Sequence, residues 1–103
     1  MKIIIKGTNI ELTPEMKVYL QNKFSTIEKY NKKINEVRVE IEHDAKHQKG
    51  EIIRCEVNVL VNGRIIRVEK NAVSFEKAVN KVRDHLKLVL VKQRKKSIDK
   101  YRK

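Results

Sequence analysis

The side chains able to do chemistry in this 103-residue chain are few and scattered, with one exception. The serines are Ser25, Ser74 and Ser97, and the histidines are His43, His47 and His85. Asp84 and His85 are neighbours, and adjacent residues on a helix do not face each other, so they make no proton relay. Ser74 precedes an apolar helical pattern and is accounted for as a cap. No nucleophile elbow, phosphate-cradling glycine loop or zinc-protease helix occurs, so no enzyme is expected. His43 and His47 stand four apart, a metal spacing on a helix, but they flank a turn-like segment without companion ligands. No metal and no other cofactor is expected. Cys55 alternates with Val57 and Val59 and reads as a small core residue.

The exception is a run of cations near the C-terminus. Lys77, Lys81, Arg83, Lys87, Lys92, Arg94, Lys95 and Lys96 almost encircle one helical pattern, and Asp84 is the only acid between Lys77 and Ile98. A helix that is merely solvated usually mixes signs to gain i,i+4 pairs. Residues 74–103 hold 11 Lys/Arg against three Asp/Glu, whereas residues 1–73 hold 14 against 10, so the last 30 residues carry two-thirds of the net charge of +12. Such an excess suits a polyanion, nucleic acid before an anionic membrane. Phosphate contacts need cations that are not bidentate, which lysine supplies. Aromatic residues make up only 5% and fall mostly on core positions, so base stacking is poorly supported. Glu40, Glu42, Glu56 and Glu69 would share the outer face of a sheet and repel phosphate. The expected chemistry is recognition of structured RNA through backbone and shape. Leu88 and Val91, on the outer face of the same helix, could mark a partner surface, though single exposed apolar residues are common.

These cations need rigid elements to hold them. "KIIIK" (Lys2–Lys6) reads as a short strand stopping at Gly7. "ELTPEM" opens a helix, with Thr13 as cap, Pro14 at the first helical position and Glu15 where the dipole favours a negative charge. Met16, Leu20, Phe24 and Ile27 recur at helical spacing, flanked by Tyr19 and Tyr30, to a stop near Asn31. "EVRVEIE" (Glu36–Glu42) alternates strictly and predicts a half-buried strand. "IIRCEVNVLV" (Ile52–Val61) and "RIIRVEK" (Arg64–Lys70) flank Asn62-Gly63, the strongest short hairpin signal. A two-residue loop pairs Val61 with Arg64, Val59 with Ile66 and Val57 with Val68, so register and pattern agree. The last helix, from Ser74 to about residue 96, buries Phe75, Val79, Val82, Leu86, Val89 and Leu90, with Ala78 at the stripe's edge, and a basic tail over about 97–103 is expected to fray. The order β-α-β-β-β-α makes an α+β fold, a four-stranded sheet with both helices on its one apolar face.

The totals agree with a single domain over 1–103, at 40% hydrophobic and 37% charged residues. No apolar run approaches a membrane span, "MKIIIKG" is too short in apolar residues for a signal-peptide core, and the lone Cys55 cannot form an internal disulfide. A cytoplasmic, reducing location is expected, with no membrane partner.

"IKGTNIELTPEMKVYLQNKFSTIEKY" (Ile5–Tyr30) resembles the opening of the ribosome hibernation promoting factors, also called ribosome-associated inhibitors or sigma-54 modulation proteins. Within it stand Gly7, Asn9, Glu11 and Thr13, then a helix with Tyr19, Lys23, Phe24, Glu28 and Tyr30. "NGRIIRVE" resembles the family's third-to-fourth strand hairpin and the basic last helix its ending, although "NAVSFEKAVNKV" departs from the family's usual acidic, aromatic and small order. The resemblance implies the same β-α-β-β-β-α fold, similar to double-stranded RNA-binding domains. It also implies binding to the small ribosomal subunit and its ribosomal RNA, in the channel used by messenger and transfer RNA, holding idle ribosomes inactive under stress or starvation. Neither a cofactor nor a small-molecule substrate is implied. By position, the residues carried over as RNA contacts are Lys23, Lys29, Lys77, Lys81, Arg83, Lys87, Lys92, Arg94 and Lys95. Longer members add a dimerising domain, so the chain corresponds to a short-type factor or to the N-terminal domain of a longer protein. Two rivals share the charge and layout: a free-standing double-stranded RNA binder and a protein-interaction module acting on transcription.

Overall fold

β-branched residues at Ile3, Ile4 and Ile5 favour an extended first segment, and in the computed structural model strand β1 spans Lys2–Thr8. The structure describes residues 1–46, 50 and 52–101, with backbone alone over 96–101. Gly7 does not stop the strand. It lies inside it, because the chain folds back tightly through Asn9 (φ 55°), and a Cβ at Gly7 would stand 2.7 Å from the Ile10 carbonyl oxygen and 3.0 Å from Leu12 Cγ.

Helix α1 (Pro14–Ser25) starts as its sequence dictates: Thr13 Oγ1 accepts from the Met16 N–H at 3.2 Å and Pro14 occupies the first turn. Its apolar stripe continues to Tyr30, but Thr26–Tyr30 is a 3₁₀ segment. Ser25 and Thr26 donate their hydroxyls to the carbonyls of Asn22 and Lys23, at 3.1 and 2.7 Å, which competes with regular α-helical bonding. Asn31, extended and 8% exposed, ends the run.

Strands β2 (Ile34–His43), β3 (Ile53–Val61) and β4 (Arg64–Ala72) form an antiparallel meander, and β1 adds to it in parallel beside β2, giving the order β1-β2-β3-β4. The Asn62-Gly63 turn takes positive φ at both residues, 51° and 78°, and holds the expected register, Val61 to Arg64, Val59 to Ile66 and Val57 to Val68. A bulge between Ile34 and Glu36 adjusts the start of β2.

Helix α2 (Phe75–Tyr101) is capped by Ser74, whose Oγ accepts from the Lys77 N–H at 3.3 Å. It runs beyond the expected end near residue 96, because no Pro or Gly interrupts it. At 27 residues it is about 40 Å long, which sets the molecule's 50 Å long axis. One core lies between the sheet and the helices: Leu20, Phe24 and Ile27 from the first helical run, Val37, Val39, Ile41, Cys55, Val57 and Val59 from the sheet, and Ala78, Val79, Val82, Leu86 and Leu90 from α2. Ala78, expected at the stripe's edge, is fully buried, whereas Phe75 and Val89 are only half-buried.

Candidate nucleic-acid interface

The outer sheet face is not the acidic field its glutamates suggest. Its outward positions are residues 2, 4, 6 and 8 of β1, the even residues 36–42 of β2 and 54–60 of β3, and the odd residues 65–71 of β4. They include five cations (Lys2, Lys6, Arg38, Arg54, Arg67) and five carboxylates (Glu36, Glu40, Glu42, Glu56, Glu69). Arg54 sits in the middle with a side chain only 14% exposed, bonded to Glu40, Glu42 and Glu56 at 2.6–2.7 Å. Arg67 ties Glu56 and Glu69 at 2.9 and 2.8 Å. Bonds from Arg67, then Arg54 and Asn58, outweigh partial burial and hold the Glu56 carboxyl at about 2. The Thr8 hydroxyl and then Arg54 lower Glu40. Burial disfavours the Arg54 charge, yet the bonds to Glu42, Glu56 and Glu40 more than offset it and raise its pKa. The formal charges on this face sum to zero, so the excess of +12 is carried by the rest of the chain.

Of the nine cations taken from the sequence, one group meets along the seam between the first helical run and α2. Lys23 Nζ lies 5.4 Å from the centre of the Tyr19 ring. Lys29 Nζ and Lys87 Nζ, from opposite sides of the seam, stand 5.3 and 5.6 Å from the Tyr30 ring. Such contacts are worth about 0.5–1 kcal/mol each at exposed sites, enough to bias where a lysine points. The Tyr19 ring packs on Phe75 at 5.5 Å, and its hydroxyl lies 3.5 Å from Asn80 Oδ1. Arg83 completes the group. Its Nη2 donates to Asp84 Oδ1 at 3.2 Å, while its Nε is buried without a partner. Arg94 follows on the same edge of α2, eleven residues beyond Arg83 and seven beyond Lys87.

The other four stand elsewhere. Lys77 and Lys95 project to solvent opposite the buried stripe. Lys81 and Lys92 line an open groove on the far flank of α2, against β4. The candidate cations therefore lie mainly on two flanks of one helix rather than in one patch.

Two features were not read from the sequence. Tyr19 and Tyr30 serve as platforms for lysines, a role signalled by the i,i+4 spacing of Tyr19 and Lys23. Lys70 belongs to the far flank: it pairs with Cys55 on the helix-side face of the sheet, where the pattern around it is apolar. His43 ends β2, and its proposed companion His47 lies outside the described residues. Among the described residues no group of three or more His, Cys, Asp or Glu could hold a metal ion. Cys55 is buried in the core, where burial pushes its thiol up to about 12. No helix of the described residues is long and apolar enough to cross a membrane.

Comparison with known proteins agrees with this architecture. A ribosome hibernation promotion factor of Deinococcus radiodurans is 31% identical over 88 residues, covering 85% of this chain and 46% of that protein. One of Mycobacterium tuberculosis is 29% identical over 91 residues, covering 84% and 42%. The chain thus spans less than half the length of these curated relatives. Among solved structures, the N-terminal domain of Thermus thermophilus protein Y superposes with a TM-score of 0.76 at 22% identity, covering 89% of this chain and 98% of that one. A ribosomal subunit interface protein from Coxiella burnetii superposes at 0.79 with 18% identity, covering 91% and 98%. These two likenesses establish the shared fold. The model of the sigma 54 modulation protein / S30EA ribosomal protein family matches residues 3–98, and the chain belongs to that family.

Proposed function

We propose that this family member is a cytoplasmic ribosome-binding translation inhibitor. It docks on the small ribosomal subunit and its ribosomal RNA, occupies the channel used by messenger and transfer RNA, and holds idle ribosomes inactive. The observation that carries the reading is the segregation of charge: the outer sheet face is neutral, and the net charge of +12 is carried by the rest of the chain, most of it by α2 and the segments flanking it. The curated relatives named as hibernation promotion factors support it. No bond need be made or broken. The work is occlusion, and it requires cations fixed on a rigid body. α2 supplies the body, about 40 Å of continuous helix anchored on the sheet. The seam supplies fixed charge, since Lys23, Lys29 and Lys87 rest against aromatic rings. Phosphate contacts from both flanks of α2 would hold the body in place while leaving base identity unread.

The test is co-sedimentation with purified idle ribosomes and with the small subunit alone, over a salt series. Five to nine phosphate contacts give a log–log salt slope of about −4 to −8. Reversing Lys87, Arg94 and Lys95 to Glu should abolish binding without unfolding the chain, and prebound messenger and initiator transfer RNA should compete with it. Binding at full strength by the charge-reversed protein would overturn the assigned surface. Equal affinity for plain duplex RNA would overturn the ribosome-specific reading in favour of a general RNA binder.

A further inference from the structure

The far flank of α2 holds a feature that occlusion does not require. Along β4 the residues facing the helices read Ile66, Val68, Lys70 and Ala72, so a lysine interrupts an apolar series. Lys70 is half-buried and borders an open groove of about 590 Å³ between β4 and α2. Lys81 reaches across from α2, its Nζ donating to the Asn71 carbonyl at 3.2 Å, and Lys92 stands eleven residues further along the same flank. Its apolar lining is Val89, half-buried, and Leu88, which stands at the rim with 64% of its surface exposed. His85 adds a ring that can donate to an anion. The one acid on the rim, Asp84, is engaged by Arg83 at 3.2 Å. Three ammonium groups therefore surround a concave apolar strip without a carboxylate partner among the described residues.

We propose that this groove binds a nucleotide, with phosphates held by Lys70 and Lys81 at one end and the base or sugar laid on Leu88 and Val89, toward Lys92. An anion alone would not use the apolar lining, and an apolar ligand alone would not account for a lysine set into the apolar series of a strand. The volume falls within the usual range for small-molecule sites. A free nucleoside polyphosphate and a nucleotide unit of an RNA strand present the same chemistry. Lys81 and Lys92 are also cations of the proposed ribosome-binding surface, so a free nucleotide in the groove would compete with the ribosome.

The experiment is an amide NMR titration of the full chain with magnesium-free ATP, with sodium tripolyphosphate and with a short single-stranded oligoribonucleotide. Expected are saturable shifts at Lys70, His85, Leu88 and Val89 with ATP, weaker binding of tripolyphosphate, and a dissociation constant raised about tenfold in a Lys70→Gln, Leu88→Asn variant. Leu88 is exposed and Lys70 half-buried, so an unchanged spectrum elsewhere checks the fold. Saturable binding of ATP assigns the site to a free nucleotide, and groove shifts with the oligonucleotide alone assign it to RNA. Shifts spread equally over Lys23, Lys29 and Lys87, or a groove that responds to tripolyphosphate at least as strongly as to both ATP and the oligonucleotide, would overturn the proposal. Wild-type co-sedimentation with the small subunit is scored separately, so failure of the groove and failure of the ribosome reading are distinguishable.

Discussion

Replacing Arg54 with Met should destabilise this protein and flatten its loss of stability in acid. The register sets Glu40, Glu56 and Glu69 directly opposite one another across three strands, a row of like charges that would repel if left alone. Arg54 lies beside that row and bonds Glu40, Glu42 and Glu56, with only 14% of its side chain exposed. Removing one partner of a largely buried ion pair costs about 3–5 kcal/mol. Some water reaches this site and Arg67 still holds Glu56 and Glu69, so about 3 kcal/mol is expected, or about 15 °C in Tm. In the native protein the Glu56 carboxyl is held at about 2, against 4.5 unperturbed, and Glu40 is also lowered. A depressed carboxylate contributes stability that is complete above its unfolded pKa and is lost as pH falls through the folded value, here between about 4.5 and 2. Without Arg54, Glu40 and Glu56 lose one of the bonds that hold them low, while the Thr8 hydroxyl and Arg67 remain, so the stability lost on going from pH 7 to pH 3 should be smaller than in the native protein. Urea unfolding at pH 7 and pH 3 reads both effects. Arg38→Ala serves as control, since its pair with Glu36 is formed by a side chain 67% exposed and should contribute under about 1 kcal/mol. A loss below about 1 kcal/mol at pH 7 in Arg54→Met, with an unchanged pH slope, would refute the reasoning.

Other substitutions probe the core and the seam. Phe24→Ala, at a fully buried site, should lose about 3–5 kcal/mol in chemical denaturation through the cavity it leaves. Tyr30→Leu keeps the apolar body but removes the ring beneath Lys29 and Lys87, so stability should fall by only about 1–2 kcal/mol, while small-subunit affinity drops more than the loss of an uncharged residue would suggest. The Cys55 thiol, fully buried and pushed up to about 12, should react with a thiol reagent at pH 8 far more slowly in the native chain than in urea, since it is both shielded and protonated.

Local signals with a single physical reading were legible in the sequence. Thr13 and Pro14 start α1, Ser74 caps α2, and Asn62-Gly63 sets the hairpin register that places Val57, Val59 and Val68 inside. What escaped depended on residues distant in the chain. Gly7 looked like a terminator, because its reason for being glycine is the close approach of Ile10 and Leu12 after the chain turns back. The glutamates looked like a phosphate-repelling face because Arg54 becomes their hub only when β2, β3 and β4 align. The cations were readable as a group, but their division between two flanks followed from where α2 lies against α1 and β4. Lys70 ended the expected strand on its inward side, and only the course of α2 beside β4 showed that it borders a groove.

The segregation of charge also makes a demand on the free protein. With the sheet face balanced, the net +12 rests on the remainder of a 103-residue chain, and these cations repel one another. Aromatic contacts at Tyr19 and Tyr30 relieve only three of them. Salt should therefore act with opposite signs on the two states of the molecule. Raising it from about 50 to 200 mM shortens the screening length to below about 10 Å, weakens the repulsion between flanks and should raise the Tm of the free chain. The same change should lower affinity for ribosomal RNA steeply, since fewer counterions gain by release. Conversely, RNA added at low salt should stabilise the fold by mass action and lose that effect as salt rises. A surface merely rich in lysine but neutralised by its own carboxylates would show neither trend. Thermal unfolding across the salt series, with and without RNA, measures both arms, and a free-chain Tm that falls or stays level would show that the excess is compensated within the chain.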